Sequence, residues 1–190
     1  MERLDATKPI QVTGMEMKKE KKTTFVRLVA ISDTHGRHRS IPIDNVPKGD
    51  VLIHTGDVTN TGEFEQYEDF LKWVCTETSF EKLVIIAGNH DITAHSVYYE
   101  KKGRKRFHSH KKKRYEPSRV RELLSQGKFV HEKRAIEVIY LEDDGAVVEN
   151  LLFWGSPWQV RGSSYFCFSY AITQQQQQQQ QTARILRLGI

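Results

Sequence analysis

The sequence predicts an α/β fold built on a largely parallel sheet. Three observations carry that expectation. Short apolar runs without polar alternation, "FVRLVAI", "DVLIHTGD" and "KLVIIA", read as strands buried on both faces. An apolar face at helical spacing lies between the second and the third. Each run also gives way to turn residues rather than fading into polar sequence.

Taken in order, residues 1–23 are polar and of mixed charge, ending in "KKEKKTT", and are expected to form a disordered tail. The first strand begins at Phe25 and runs into "SDTHG", and "PKGD" introduces the second. Between Gly62 and Glu77, Phe64, Tyr67, Leu71 and Val74 recur every three or four residues, which predicts an amphipathic helix. Glu63 and Glu65 sit near its start, where the helix dipole favours acids. "KLVIIA" is the third strand. Pro117 opens a helix through "SRVRELLSQ" that Gly127 stops. Residues 128–157 offer two or three strands, with "EDDG" as the tight turn. Residues 174–181 are eight glutamines, which cannot bury a core. The expected organisation is a tail over 1–23, a folded domain over 24–159 and a divergent low-complexity tail over 160–190.

The length of 190 residues suits one domain, and 38% hydrophobic with 28% charged residues fits a soluble globular chain. The longest apolar runs are too short to cross a bilayer, so no membrane partner is expected. "MERLDATKPIQ" lacks the apolar region of a secretory leader. Cys75 and Cys167 have neither metal nor redox spacing and read as free thiols, which points to a reducing, cytoplasmic setting. The net charge of +5 is concentrated in residues 101–114, "KKGRKRFHSHKKKR", which hold nine Lys/Arg and no acid. The remainder is net acidic. That argues for one solvated basic loop rather than a nucleic-acid face, and a nuclear-import or nucleic-acid role for the loop is the weaker alternative. One aromatic, Phe107, is thin material for stacking bases.

The chemistry gathers where the strands end. The first runs into Asp33, Thr34 and His35, the second into Gly56 and Asp57, the third into Gly88, Asn89, His90 and Asp91. Ligands of parallel sheets bind beyond the carboxyl ends of the strands, so three polar endings are expected to converge. Asp33 and His35 are two apart, which in extended backbone turns both side chains one way. Acceptors packed together without Lys or Arg repel each other unless a cation joins them. Oxygen plus imidazole suits Mn²⁺, Fe, Zn²⁺ or Mg²⁺. Asp57, on the middle motif, is the expected bridge between two ions. Asn89 would coordinate, leaving His90 to give a proton to a leaving oxygen with Asp91 orienting its ring. His54, on the opposite strand face from Thr55, is expected to pack nearby without binding metal. Trp73 and Trp154 read as packing residues, and Trp158 as either packing or cleft lining.

"SDTH", "HTGDVT" and "AGNHD" resemble the N-terminal motifs of the calcineurin-like metallophosphoesterases, and "GSPWQ" at 155–159 resembles their small metallophosphoesterase-domain-containing, brain-enriched group. The resemblance covers Phe25 to Gln159. It implies a four-layer α/β/β/α sandwich, a dinuclear metal site and hydrolysis of small phosphoesters, with 3′,5′-cyclic nucleotides as substrates. By position it implies that Asp33 and His35 bind one metal, Asp57 bridges, Asn89 binds the second, and His90 assists the leaving group.

The chain departs from that pattern after His131, its last histidine. The family completes its site with a His-Gly turn and a later Gly-His-x-His, and neither occurs here. The second ion would keep only Asp57 and Asn89. The expectation is an incomplete dinuclear site in a C-terminally truncated relative lacking part of the second sheet, with activity reduced or absent. His95, His108, His110 and His131 are not expected to compensate, because two lie in the basic run and His131 lies on a strand. The competing expectation is a non-catalytic relative that acts by binding.

Overall fold

β2 (Val51–His54) and β3 (Lys82–Ile85) form the middle of the molecule, and their runs are apolar because helices cover one face and a hairpin the other. The structure is a computed structural model that describes residues 25–110, 115–157, 159–160 and 169–170. β1 (Leu28–Ile31), β4 (Lys128–His131) and β5 (Arg134–Tyr140) complete a five-stranded sheet in the order β1-β2-β3-β5-β4. β1, β2, β3 and β5 run parallel, with Ile31 paired to His54 and His54 to Ile85, so these strands end level. β4 is antiparallel to β5 at one edge. The predicted parallel α/β sheet is present.

α1 (Phe64–Glu77) crosses from β2 to β3 and buries Tyr67, Phe70, Leu71, Trp73 and Val74. α4 (Pro117–Ser125) begins at its proline and lays Val120 and Leu124 into the same cluster. Between β3 and α4 lie the short helices α2 (Ser96–Tyr98) and α3 (Arg104–Phe107), joined by a π-helical turn over Tyr99–Gly103. On the other face, β6 (Asp144–Val148) and β7 (Leu151–Gly155) form an antiparallel hairpin whose Ala146, Val148 and Phe153 meet Val51, Ile53, Val84 and Ile86. The result is helix over sheet over sheet. β8 (Gln159–Val160) and β9 (Ser169–Tyr170) form a short parallel pair.

Four details correct the sequence reading. β1 is an edge strand rather than a buried one, with Leu28 44% exposed. Residues 128–157 form four strands, and "EDDG" is no hairpin turn: its Glu142 and Asp143 lie between the two sheets, and its Asp144 and Gly145 begin β6. The hairpins turn at Glu132–Lys133 and at Glu149–Asn150, where Glu132, Glu149 and Asn150 take positive φ. The described part of the basic run is helical and anchored, with Gly103 and His108 buried. The expected tail over 1–23, Trp158, Cys167, residues 111–114 and the glutamine tract lie outside the described residues.

Candidate metal centre

The loops after β1 and β2 are stitched together by backbone. Asp33 N–H donates to Gly56 O (3.0 Å), His35 N–H to Asp57 O (2.9 Å) and Gly36 N–H to Val58 O (2.8 Å). The sequence expected an extended Asp33–His35 segment, but both residues are left-handed, at φ 55° and 45°. Asp57 is left-handed too, at φ 54°. Such backbone costs of order 1–3 kcal/mol per residue and persists where surrounding bonds over-determine it. The side chains therefore converge through a pair of tight turns rather than through strand alternation.

Two glycines bring the second and third loops into contact. Gly56 sits at φ 109°, closed to ordinary side chains. Gly88 is required by proximity: a Cβ there would lie 2.3 Å from both the backbone nitrogen and Oδ1 of Asp57.

His35 Nε2 lies 3.8 Å from Asp57 Oδ2 and 3.9 Å from Asp33 Oδ1. Those gaps are too long for hydrogen bonds and only a few tenths of an ångström wider than the roughly 3.3–3.6 Å between tetrahedral ligands about 2.0–2.2 Å from a shared ion, so a small closure lets both reach one. His35 Nδ1 is buried without a hydrogen-bond partner among the described residues. Asp57 is buried, and its Oδ1 accepts from His90 N–H (2.7 Å). His35, Asp57 and His90 each offer a ligand atom within 4.8 Å of the other two. Asp33 stands at the open rim with its side chain 65% exposed, bonded to Ser32 Oγ. An oxygen-and-imidazole set held apart in this way fits a divalent cation.

The sequence-predicted residues thus come together, although not all in their expected posts. The His90 ring packs edge-on to His35 at 4.5 Å between centroids, and its Nδ1 donates to Asn60 O (2.7 Å), so Nε2 is the nitrogen left to exchange a proton. Asp91 does not orient that ring. Its buried carboxylate accepts from Gly88 N–H (2.8 Å), Thr59 N–H (3.0 Å), Thr59 Oγ1 (2.7 Å) and Val58 N–H (3.2 Å). It is a clasp between the second and third loops, and burial pushes its carboxyl above the ordinary range. The Asn89 carboxamide satisfies its neighbours when its NH₂ donates to Asp57 Oδ2 (3.1 Å) and its oxygen accepts from Arg106 Nη2 (3.3 Å).

Sequence reasoning placed His54 near the site but missed what it does. Nδ1 accepts from Gly56 N–H (3.3 Å), so Nε2 donates to Thr34 Oγ1 (3.0 Å), which donates to Val58 O (3.2 Å). Burial lowers its pKa to about 3, so the ring stays neutral and braces the first two loops. Phe107, 5.0 Å from His90 between ring centroids, and Arg106 were also missed, because nothing in the spacing of a basic run aims it back at a strand end.

A parallel sheet whose strand ends gather His, Asp and Asn within reach of one another offers a candidate site for a divalent cation. The profile of the calcineurin-like phosphoesterase family matches residues 26–174, most of the chain and past Gln159. The chain belongs to that family. It is 33% identical over 135 residues to human metallophosphoesterase domain-containing protein 1, covering 71% of this chain and 38% of that protein. A UPF0046 protein of Caenorhabditis elegans is 29% identical over 147 residues, 76% of this chain and 43% of the relative. The chain thus spans less than half the length of these relatives.

Proposed function

We propose that this chain hydrolyses small phosphodiesters, cyclic nucleotides among them, at a centre that holds one divalent ion firmly and a second one weakly. The observation that supports this most is the standoff at His35, whose Nε2 faces two carboxylates at distances that suit a shared ion and no hydrogen bond. His35, Asp57 and Asp33 would hold the firm ion, and Asp57 with Asn89 the weak one. An ion bound there supplies a polarised phosphoryl oxygen and a water acidic enough to lose its proton near neutral pH.

The chain's own residues do the rest. Asp57 is fixed by the His90 amide, so its carboxylate keeps its direction without help from solvent. His90 would pass a proton from Nε2 to the leaving oxygen, while the Asn60 carbonyl at Nδ1 holds the ring in place. Phe107 covers one side of that ring, which limits the directions from which water reaches it. Asp91 and His54 keep the three loops in register. The weak second site follows from its two oxygen ligands, which hold a transition metal poorly.

Hydrolysis of a chromogenic phosphodiester with Mn²⁺ tests the reading. Activity that falls to background in Asp57→Asn, with the melting temperature kept, is the expected result. Activity retained in that variant would overturn it.

A further inference from the structure

Arg106 is a cation of the basic run whose contacts reach the centre. It lies on α3, which is pinned rather than loose: Gly103 is buried against Tyr98 and Ile92, and His108 is buried with its Nδ1 3.0 Å from Tyr99 Oη. The guanidinium carbon stands 4.4 Å from the Phe107 ring centre, and Phe107 leans on His90. From that platform Arg106 Nη1 donates to Asn89 O (3.0 Å), and with the Asn89 carboxamide set so that its NH₂ faces Asp57, Nη2 donates to the carboxamide oxygen (3.3 Å).

The Asn89 carboxamide has one oxygen and two settings. In the first, its NH₂ faces Asp57 Oδ2 and its oxygen faces Arg106, so both neighbours are satisfied. Turned over, its oxygen faces Asp57 Oδ2, acceptor against acceptor, and its NH₂ faces the guanidinium, donor against donor. Only a cation between Asn89 and Asp57 makes the second setting favourable, and that same turn breaks the bond to Arg106. One oxygen cannot serve both.

We propose that Arg106 competes with the second metal ion for the Asn89 carboxamide oxygen, so that this centre rests with one ion site and a guanidinium in place of two ion sites. Arg106 is a positioning residue in this account, since it acts on the ion through Asn89. The inference rests on the metal-centre reading above and deepens it. It also gives the basic segment a task that a solvated loop lacks: its helical turn carries a positive charge to one of the two ligands that would hold the second ion.

Calorimetric titration of the full chain with Mn²⁺ alone tests it, without recourse to activity. Arg106→Ala should tighten the weaker binding event about tenfold, the scale of one charge-assisted hydrogen bond no longer broken on binding. The gain should shrink below about twofold in an Asn89→Ala background, where no carboxamide is left to compete for. Lys105→Ala, which removes an equal charge from an exposed neighbour, should leave the weaker event unchanged. Arg106→Lys, which keeps the charge but not the fork, should tighten it partway and guards against misfolding of the alanine variant. An unchanged weaker event in both Arg106 variants, or an equal gain with and without Asn89, would overturn the competition. No Mn²⁺ bound by any variant would instead overturn the metal-centre reading beneath it.

Discussion

Replacing Asp91 by Ala separates the two tasks that a carboxylate after "GNH" could have. The structure gives Asp91 four buried donors: the backbone amides of Val58, Thr59 and Gly88, and the Thr59 hydroxyl. Alanine strands the three amides, and each buried donor left without an acceptor costs roughly 1–3 kcal/mol. Relaxation and water entry reduce the sum, so the expected loss is about 3–5 kcal/mol, the range that marks a broken buried network. For a chain of this size each kcal/mol moves the melting temperature about 2–4 °C, so the fall should be roughly 6–20 °C. His90→Ala removes the half-buried ring but leaves the clasp, and should cost about 1 kcal/mol or less. Thermal melts by circular dichroism of both variants, beside Mn²⁺-dependent hydrolysis, provide the comparison. If Asp91→Ala melts with the parent yet loses activity as His90→Ala does, Asp91 serves the ring and the clasp argument is wrong.

Gly88→Ala forces a Cβ to within 2.3 Å of the Asp57 backbone nitrogen, which cannot swing aside as a side chain can. Overpacking of about 1–3 kcal/mol or more is expected, with Mn²⁺ binding weakened as Asp57 is displaced; parental melting and binding would contradict the close approach. His54 supplies a pH dependence. Its pKa falls from 6.5 to about 3 on folding, so its contribution to stability is whole above pH 6.5 and is lost as pH falls toward 3. The slope is about 1.4 kcal/mol per pH unit across that window. In NMR the His54 ring should show no titration between pH 7.5 and 4.5, and a midpoint near 6.5 would refute its sealed, neutral state.

The sheet was legible because buried parallel strands must be continuously apolar, and β2 and β3 leave little else to read. α1 was legible from Tyr67, Leu71 and Val74, whose spacing matches the face they bury. β1 was misread since "FVRLVAI" is as apolar as a central strand, and only topology makes it an edge. The hairpin turns hid for a different reason: Glu132 and Glu149 adopt left-handed backbone without being residues that favour it. At the centre, convergence of strand ends followed from the parallel sheet. The posts within it did not, because the roles of Asp91, His54 and Arg106 depend on hydrogen bonds between loops 17 to 33 residues apart in sequence. Motif spacing carries no record of such partners.

The central claim is that His35 and Asp57 hold a common divalent ion. Mn²⁺ paramagnetic resonance during titration of the full chain tests it most directly, since bound and free ion give distinct spectra. The account expects a saturable bound population for the parent chain that vanishes in Asp57→Asn and is strongly reduced in His35→Ala. Equal binding by parent and both variants, or no bound ion in the parent at millimolar Mn²⁺, would contradict it.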